Sequence, residues 1–278
     1  MAWSARQSHG HVEGTQLRLK ARYGKMTTSL IWDPTATAVI ICDMWDDHWC
    51  KSAARRCAQL APRVNEFAQA VRRLGTLVVH APSDTMAFYE EASQRARARD
   101  APPARPAVPI KTRHTDVARE PSLPIADSDG GCDDRPACTL RFPWKQQHPG
   151  IVVAEQDIIS DSGEEIYNTF VHGHIKNVFI TGVHANKCIL ARSFGIRQMV
   201  ILGMNVILVR DLTDSLYNPS MPPFVSHDQG TELVIEHIEK YWCPSIHSGD
   251  ITSPESYGID QFVERPAVPK TLPGAPAA

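Results

Sequence analysis

The chain lacks an excess of charge of either sign, because its 29 lysines and arginines nearly balance its 31 aspartates and glutamates. A basic surface is the usual footprint of nucleic-acid binding, so no nucleic-acid partner is predicted. No apolar run approaches the roughly 20 residues that cross a bilayer, and residues 1–26 hold no apolar segment of the signal-peptide kind. We therefore predict a cytoplasmic protein without a membrane partner.

The chain also lacks the signs of a disulfide framework or a metal site. Its seven cysteines are an odd number, which favours free thiols in a reducing compartment. Cys132 and Cys138 could form a disulfide or half of a zinc site, but no second Cys/His pair has a matching spacing, and free thiols are preferred. The acidic stretch 127–134 resembles a calcium loop, yet Cys138 stands where an EF-hand needs its bidentate glutamate. No metal and no cofactor are predicted.

Apolar runs alternate with amphipathic stretches along most of the chain, which is typical of βαβ units around a parallel sheet. The length suits one large domain, predicted over 35–265. An irregular N-terminal arm over 1–34 precedes it, and a mobile Pro/Ala-rich tail over 266–278 follows it. Strands are predicted over 37–42, 76–80, 151–154, 178–181 and 205–209, and helices over 50–74, 85–99, 163–170, 189–198 and 231–241.

The most informative motif is Gly-Val-His-Ala-Asn-Lys-Cys over 182–188. It follows an apolar run and precedes the predicted helix over 189–198, so Cys188 is expected at the start of a helix. The helix dipole and free amides there favour a thiolate and can bind an oxyanion. Cys188 is therefore the candidate nucleophile, with a buried structural cysteine as the alternative.

Asp43 directly follows the continuous apolar run over 37–42, which is typical of a strand buried on both faces of a parallel sheet. The first acid after such a strand points into the crevice at the carboxyl edge of the sheet, where α/β folds bind ligands. Asp43 and Cys188 are therefore expected at the same edge. The alternative for Asp43 is a helix cap or a salt bridge at the edge of the sheet.

Two elements together, Asp-Met-Trp-Asp at 43–46 after the first strand and Thr-Gly-Val-x-x-x-x-Cys at 181–188, resemble the isochorismatase-like cysteine hydrolases. That superfamily includes nicotinamidases and N-carbamoylsarcosine amidases. The resemblance covers about residues 35–245, with a large interruption in the middle. It implies a three-layer α/β/α fold with a mainly parallel sheet and a small-molecule substrate.

The resemblance also implies roles for the motif residues. Cys188 would attack an amide-like carbonyl, and Asp43 would take the thiol proton and return it to the leaving group. The oxyanion is expected at the backbone amides of His184 and Cys188, with a cis peptide between Val183 and His184.

Three further side chains are predicted to contact substrate. Trp45 is expected to stack on the substrate or form a pocket wall, with core packing as the alternative. His184 could line the pocket or point to solvent. His80 is a pocket-lining candidate, and the segment from His80 to Asp84 lacks the Asp-x-His metal spacing of nicotinamidases.

The third catalytic residue of the resembling family is a lysine near the end of the third strand. The matching region 152–160 contains no lysine. Lys145 could reach in from the preceding segment, or an acid, Glu155 or Asp157, could replace the lysine and create a two-carboxylate site. A third possibility is an inactive protein. Lys145 and Glu155 are retained as catalytic candidates.

A proline-rich segment over 101–150 interrupts the resemblance. A loop of this length inside a compact domain is usually functional or disordered. We predict an ordered insertion over the active-site edge, anchored by Leu140, Phe142 and Trp144.

A homo-oligomer, either a dimer or a tetramer, is expected from the resemblance and from the long N-terminal arm. Arg192 and Arg197 follow Cys188 on the predicted helix. One of them could receive an anionic substrate group, but a subunit contact is the preferred interpretation.

Three functions remain open. The leading one is a cysteine hydrolase that cleaves a C–N bond of a small amide, ureido or related substrate. The second is a small-molecule-binding protein that kept the fold without the activity, which the missing lysine favours. The third is an isochorismatase-type vinyl-ether hydrolase, which needs no cysteine nucleophile, so the presence of Cys188 disfavours it.

Overall fold

The structure is a computed structural model that describes residues 15–115 and 118–252, so the predicted tail lies outside the described residues. No described helix is long and apolar enough to span a membrane. The strands are β1 (Leu17–Tyr23), β2 (Met26–Trp32), β3 (Thr37–Cys42), β4 (Leu77–Ala81), β5 (Ile158–Ile159), β6 (Asn177–Val183), β7 (Asn205–Asp214) and β8 (Ser245–Ile246). The helices are α1 (Lys51–Arg73), α2 (Ser93–Arg99), α3 (Gly163–His172), α4 (Ile196–Ile201), α5 (His227–Tyr241) and α6 (Gly249–Thr252).

These strands form one sheet in the order β2-β1-β8-β7-β6-β3-β4-β5. The pairs from β8 to β5 are parallel, whereas β1 pairs antiparallel with both β2 and β8. β3 is paired on both sides, with Cys42 opposite Gly182 of β6 and Ala81 of β4. Because parallel strands end at the same edge, the segments after β3, β4 and β6 meet there.

Helices cover both faces of the sheet, as the alternation of side chains along β3 shows. Ile40 belongs to the core that also contains residues of α3, α4 and α5, whereas Ile41 belongs to the core beneath α1 and α6. Residues at helical spacing along α1 are buried against the sheet, Phe67 among them. The mainly parallel three-layer α/β/α fold predicted from the sequence is confirmed.

The described part of the predicted N-terminal arm is not irregular. β1 and β2 form a hairpin whose register pairs Leu17 with Trp32 and Tyr23 with Met26. The two-residue turn contains Gly24 at a φ of 59°, a conformation that glycine adopts without strain. Leu17, Leu19 and Ala21 are buried while the residues between them are exposed, and this period of two is the strand signal that the prediction overlooked.

The predicted strand over 151–154 is wrong. Val152 is half exposed, and its amide bonds to the Asn65 side chain rather than to a neighbouring strand. The edge strand is instead β5, only two residues long, which pairs with Val79 and His80. The buried pair Ile158–Ile159 supplies the apolar contacts that the exposed Val152 does not.

Two predicted helices are divided. The helix expected over 85–99 consists of a 3₁₀ turn, Met86–Tyr89, and α2. The helix expected after Cys188 consists of a π-helical turn, Ala185–Ile189, and α4, with Gly195 preceding α4 in an extended conformation. The π-helical turn is the segment that carries Cys188.

The insertion over 101–150 has no helix or strand among its described residues. Trp144 packs against the main core, but Leu140 and Phe142 are 65% and 74% exposed and do not anchor the insertion as predicted. Its end returns to the sheet edge, where the His148 amide donates to the Met44 carbonyl at 2.7 Å. Hydrogen bonds near the sheet edge thus position this segment beside the residues that follow β3.

Candidate active site

Asp43 lies at the carboxyl edge of the sheet and is fully buried. Its φ of 48° is in the left-handed region, which aspartate tolerates better than most residues. Its amide donates to the Ala81 carbonyl at 3.0 Å, and its Oδ1 accepts from the Ser83 amide at 2.8 Å. The turn after β4 therefore holds the carboxylate of the residue after β3.

Cys188 lies in the turn after β6, and its thiol interacts electrostatically with the Asp43 carboxylate. The side chain is buried, with 7% of the residue exposed. Burial, and then the negative charge of Asp43, raise the pKa of Cys188 to about 12, although the positive charge of Arg192 acts in the opposite direction. Cys188 is thus a neutral thiol at pH 7, not the thiolate expected at the start of a helix.

Arg192 supplies a cation to this pair. It lies one helical turn after Cys188, since its amide donates to the Cys188 carbonyl at 3.0 Å. Its Nε is 3.1 Å from Oδ2 of Asp43, and its terminal nitrogen is 3.5 Å from Oδ2 of Asp84. Burial raises the pKa of Asp43, while Arg192, Cys188 and Ser83 act to lower it.

The backbone before Cys188 approaches β3 closely. A cis peptide joins Val183 to His184, as predicted from the resemblance. Gly182 has a φ of 107°, and a Cβ built there would stand 2.0 Å from the Cys42 carbonyl oxygen. Only glycine fits this position. Gly182 therefore permits the close pairing of β6 with β3 that brings Cys188 to Asp43.

The comparisons with known proteins agree with this geometry at the level of the fold. No protein-family model matches the chain, and no curated protein matches its sequence. A cysteine hydrolase from Pseudomonas syringae pv. phaseolicola 1448A matches the structure with a TM-score of 0.50 and 14% identity, covering 84% of this chain and 95% of that one. The chain has the isochorismatase-like fold.

Two further solved structures are similar over most of their length. An isochorismatase from Pseudomonas putida KT2440 has a TM-score of 0.45 and 12% identity, covering 79% of this chain and 92% of that one. A ribonuclease from Caenorhabditis elegans has a TM-score of 0.44 and 12% identity, covering 89% of this chain and 99% of that one.

Neither Lys145 nor Glu155 joins Asp43 and Cys188 on this isochorismatase-like fold. The Lys145 side chain is exposed, and its amide donates to Oδ1 of Asp46 at 2.9 Å. The Glu155 side chain is 75% exposed and lies 3.6 Å from Arg97. The prediction that one of them replaces the family lysine at the site does not agree with the structure, because the Lys145 side chain is exposed and the exposed Glu155 side chain faces Arg97.

His80, predicted to line the substrate pocket, is part of a buried network. Its Nδ1 lies 2.9 Å from Oε1 of Gln147, and its Nε2 lies 3.0 Å from Oδ2 of Asp157. Asp157, the other acid considered as a lysine replacement, also pairs with Arg72 of α1 at 2.7 Å. His80 is opposite Ile41 in the parallel ladder, which places its side chain on the α1 face of the sheet.

Aromatic rings from two segments stack beside the site. Trp45 and Trp144 lie with their ring centroids 4.3 Å apart and their planes within 14° of parallel, and His48 stacks with Trp144 at 5.8 Å. The Trp45 Nε1 donates to the Ser83 carbonyl at 2.9 Å, so Trp45 is tied to the same turn as Asp43. One face of Trp45, predicted to stack on a substrate, is already covered by the insertion.

His184 is buried, and its ring meets that of His48 edge to face at 5.0 Å. Its Nε2 has no hydrogen-bond partner among the described residues. Burial lowers the pKa of His184 well below its usual value and lowers that of His48 to about 4. Both rings are therefore neutral at pH 7, and the solvent-facing alternative for His184 is wrong.

The cation at Asp43 was not predicted from the sequence. Arg192 and Arg197 were expected at a subunit contact, but Arg197 is buried against Glu120 at 2.5 Å and Arg192 faces Asp43. The spacing of four residues from Cys188 to Arg192 was a usable signal, because residues four apart share one face of a helix.

Proposed function

We propose that the chain is a cysteine hydrolase that cleaves a C–N bond of a small amide, ureido or related substrate. The observation that carries the proposal is the buried arrangement of the Cys188 thiol on the Asp43 carboxylate, with the Arg192 guanidinium 3.1 Å from that carboxylate. A nucleophile, a base in contact with it and a group that orients the base are what covalent catalysis requires.

The reaction begins with a proton transfer. With a pKa of about 12, ionising Cys188 alone at pH 7 would cost about 7 kcal/mol, at 1.36 kcal/mol per pH unit. We therefore place the transfer of the thiol proton to Asp43 in the same step as attack of the sulfur on the carbonyl carbon. Burial raises the pKa of Asp43 and so makes its carboxylate a better proton acceptor.

The proton then moves on to the leaving group. Asp43 gives it to the departing nitrogen, the C–N bond breaks, and a thioester remains on Cys188. Asp43 next removes a proton from water, which attacks the thioester and releases the acid and the thiol. Arg192 keeps its own proton throughout, because a guanidinium does not deprotonate in proteins, and its role is to hold and neutralise Asp43.

The developing oxyanion is proposed to bind the amides of His184 and Cys188. Outside the helices and strands of the described residues, the His184 amide donates to no backbone carbonyl. A free donor beside the nucleophile is suited to an oxyanion and is worth about 3 kcal/mol.

The neutral rings of His48 and His184 are proposed to form part of the pocket wall. The buried Nε2 of His184 has no hydrogen-bond partner among the described residues and can form a hydrogen bond with a polar substrate atom. An uncharged aromatic wall suits a small planar group such as an amide or a urea.

Arg192 weakens the binding-protein alternative, whose main support was the missing lysine. A measurement of ammonia or amine release from a panel of small primary amides and ureido compounds tests the proposal. We expect turnover by the wild type and a loss of activity of at least about 10³-fold in Cys188→Ala, in line with removal of a nucleophile. The control Cys243→Ala, which removes another buried cysteine, should keep the wild-type activity. If no compound is turned over faster by the wild type than by Cys188→Ala, the chain is not a cysteine hydrolase for this class.

A further inference from the structure

A second group of reactive side chains lies where the insertion meets the start of α1. Cys50 immediately precedes α1, and Cys132, Asp134 and Cys138 belong to the insertion. The ligand atoms of Cys50, Cys132 and Asp134 all lie within 4.8 Å of one another. Oδ2 of Asp134 is 3.4 Å from the Cys50 sulfur, 3.7 Å from that of Cys132 and 3.2 Å from that of Cys138.

Too many donors converge on one oxygen atom. Besides the three thiols, the Ser52 amide donates to Oδ2 of Asp134 at 2.9 Å. A carboxylate oxygen offers about two lone-pair sites, so it does not accept four full hydrogen bonds, and the Cys50 thiol also lies 3.7 Å from Oδ1 of Asp133. A cation held by Cys50, Cys132 and Asp134, with Cys138 as the fourth ligand, would satisfy the thiols at once.

We propose that Cys50, Cys132, Cys138 and Asp134 bind one zinc ion. Thiolate sulfur and carboxylate oxygen are zinc ligands, and a Zn–S bond of about 2.3 Å in a tetrahedron places sulfurs about 3.8 Å apart. Binding releases the three thiol protons to solvent, and no group is oxidised or reduced. Four protein ligands leave no open position, so the site is structural.

The surroundings of Asp134 fit a ligand role. Oδ1 of Asp134 is held by the Ser52 hydroxyl at 2.6 Å and by Arg55 at 3.3 Å, as ligating carboxylates usually are.

The proposed ion would secure the insertion to the core. The described parts of the insertion have no helix or strand, and Cys50 and Cys132 are buried at its contact with α1. Asp127, five residues before Cys132, pairs with Lys187 at 3.0 Å and accepts from the side-chain Nδ2 of Asn186 at 3.0 Å. A fixed insertion therefore also holds the turn that carries Cys188.

Metal content of the purified full chain is the first test. The protein is purified with a thiol reductant and no chelator, equilibrated with zinc and desalted. The zinc content per chain is then measured by inductively coupled plasma mass spectrometry. We expect one zinc per wild-type chain, a loss of most of it in Cys132→Ser and Asp134→Asn, and full occupancy in the control Cys243→Ser. A wild type without zinc, or variants that hold as much zinc as the wild type, would overturn the proposal.

A second measurement on the wild type avoids variants that fail to fold. Replacement of zinc by cobalt should produce a thiolate-to-cobalt charge-transfer band and the visible bands of a tetrahedral ion. Zinc should also protect Cys138, the most exposed of the three thiols, from alkylation, with peptide mass spectrometry as the readout. An unchanged rate with zinc, or a Cys132–Cys138 disulfide in the reduced preparation, would contradict the site.

Discussion

Replacement of Asp43 by asparagine should make Cys188 more reactive toward an alkylating agent while it abolishes hydrolysis. Asparagine keeps the shape of the side chain and can still accept from the Ser83 amide. It removes the negative charge next to the thiol and leaves the Arg192 guanidinium without the closer of its two carboxylate partners. Both changes favour the thiolate.

The magnitude follows from the charges. A thiol pKa of about 12 leaves about one Cys188 in 100,000 ionised at pH 7, so alkylation of the wild type should rise about tenfold per pH unit from pH 7 to pH 10. A unit charge about 4 Å away is worth about 4 kcal/mol at an effective dielectric constant of 20, or about three pKa units. With allowance for relaxation, we expect Asp43→Asn to react about 100- to 1,000-fold faster at pH 7.

The assay is timed iodoacetamide labelling followed by quantification of the Cys188 peptide by mass spectrometry. Cys243, whose pKa is raised by burial, is the internal control and should react equally in both proteins. A plateau of the wild-type rate below pH 9 would show that a thiolate already exists. Slower labelling of Asp43→Asn would show that Asp43 promotes ionisation of the thiol, and either result would refute the concerted proton transfer.

Substitutions at three further positions test the site and its support. Arg192→Met should lower kcat/KM by at least about 100-fold, because a buried unpaired Asp43 takes up a proton and ceases to be a base. Arg192→Lys should retain more activity than Arg192→Met. Steady-state kinetics of both variants measure the difference. Gly182→Ala should cost about 3–5 kcal/mol of unfolding free energy in urea, because its Cβ would meet the Cys42 carbonyl oxygen. Burial acts to raise the pKa of Asp157, but His80 and Arg72 lower it below 3.8. Asp157→Asn should therefore lower the free energy of unfolding by about 3 kcal/mol at pH 7, and this loss should shrink as the pH falls below about 4. A loss of stability that is the same at pH 7 and at about pH 3 would contradict this.

The parts of the fold that were predictable rest on local patterns. The continuous apolar run over Thr37–Cys42 gives β3 with the predicted bounds, because a strand buried on both faces needs no alternation. The placement of Asp43 and Cys188 at one edge follows from parallel pairing alone. The resemblance added the cis peptide before His184, which no local pattern indicates.

The parts that failed depend on contacts between distant segments. β5 has two residues and is a strand only because β4 lies beside it, so periodicity could not reveal it. His80 ends the predicted strand over 76–80 and was therefore expected at the crevice. It lies inside β4, and its position opposite Ile41 places its side chain on the α1 face of the sheet. The positions of Trp144 and Lys145 depend on the path of an insertion without regular structure, which no spacing rule determines.

An arginine in place of a lysine changes what the site can do. A lysine buried against a carboxylate and a thiol can lose its proton, and its charge then depends on its surroundings, whereas a guanidinium keeps its charge when buried. Arg192 can therefore lie beside a fully buried Asp43 without losing its own proton. In the proposed mechanism, Asp43 therefore both accepts the thiol proton and delivers it to the leaving group. The raised pKa of Asp43 would serve both steps, because a weaker acid is the stronger base before attack and remains able to protonate a departing nitrogen.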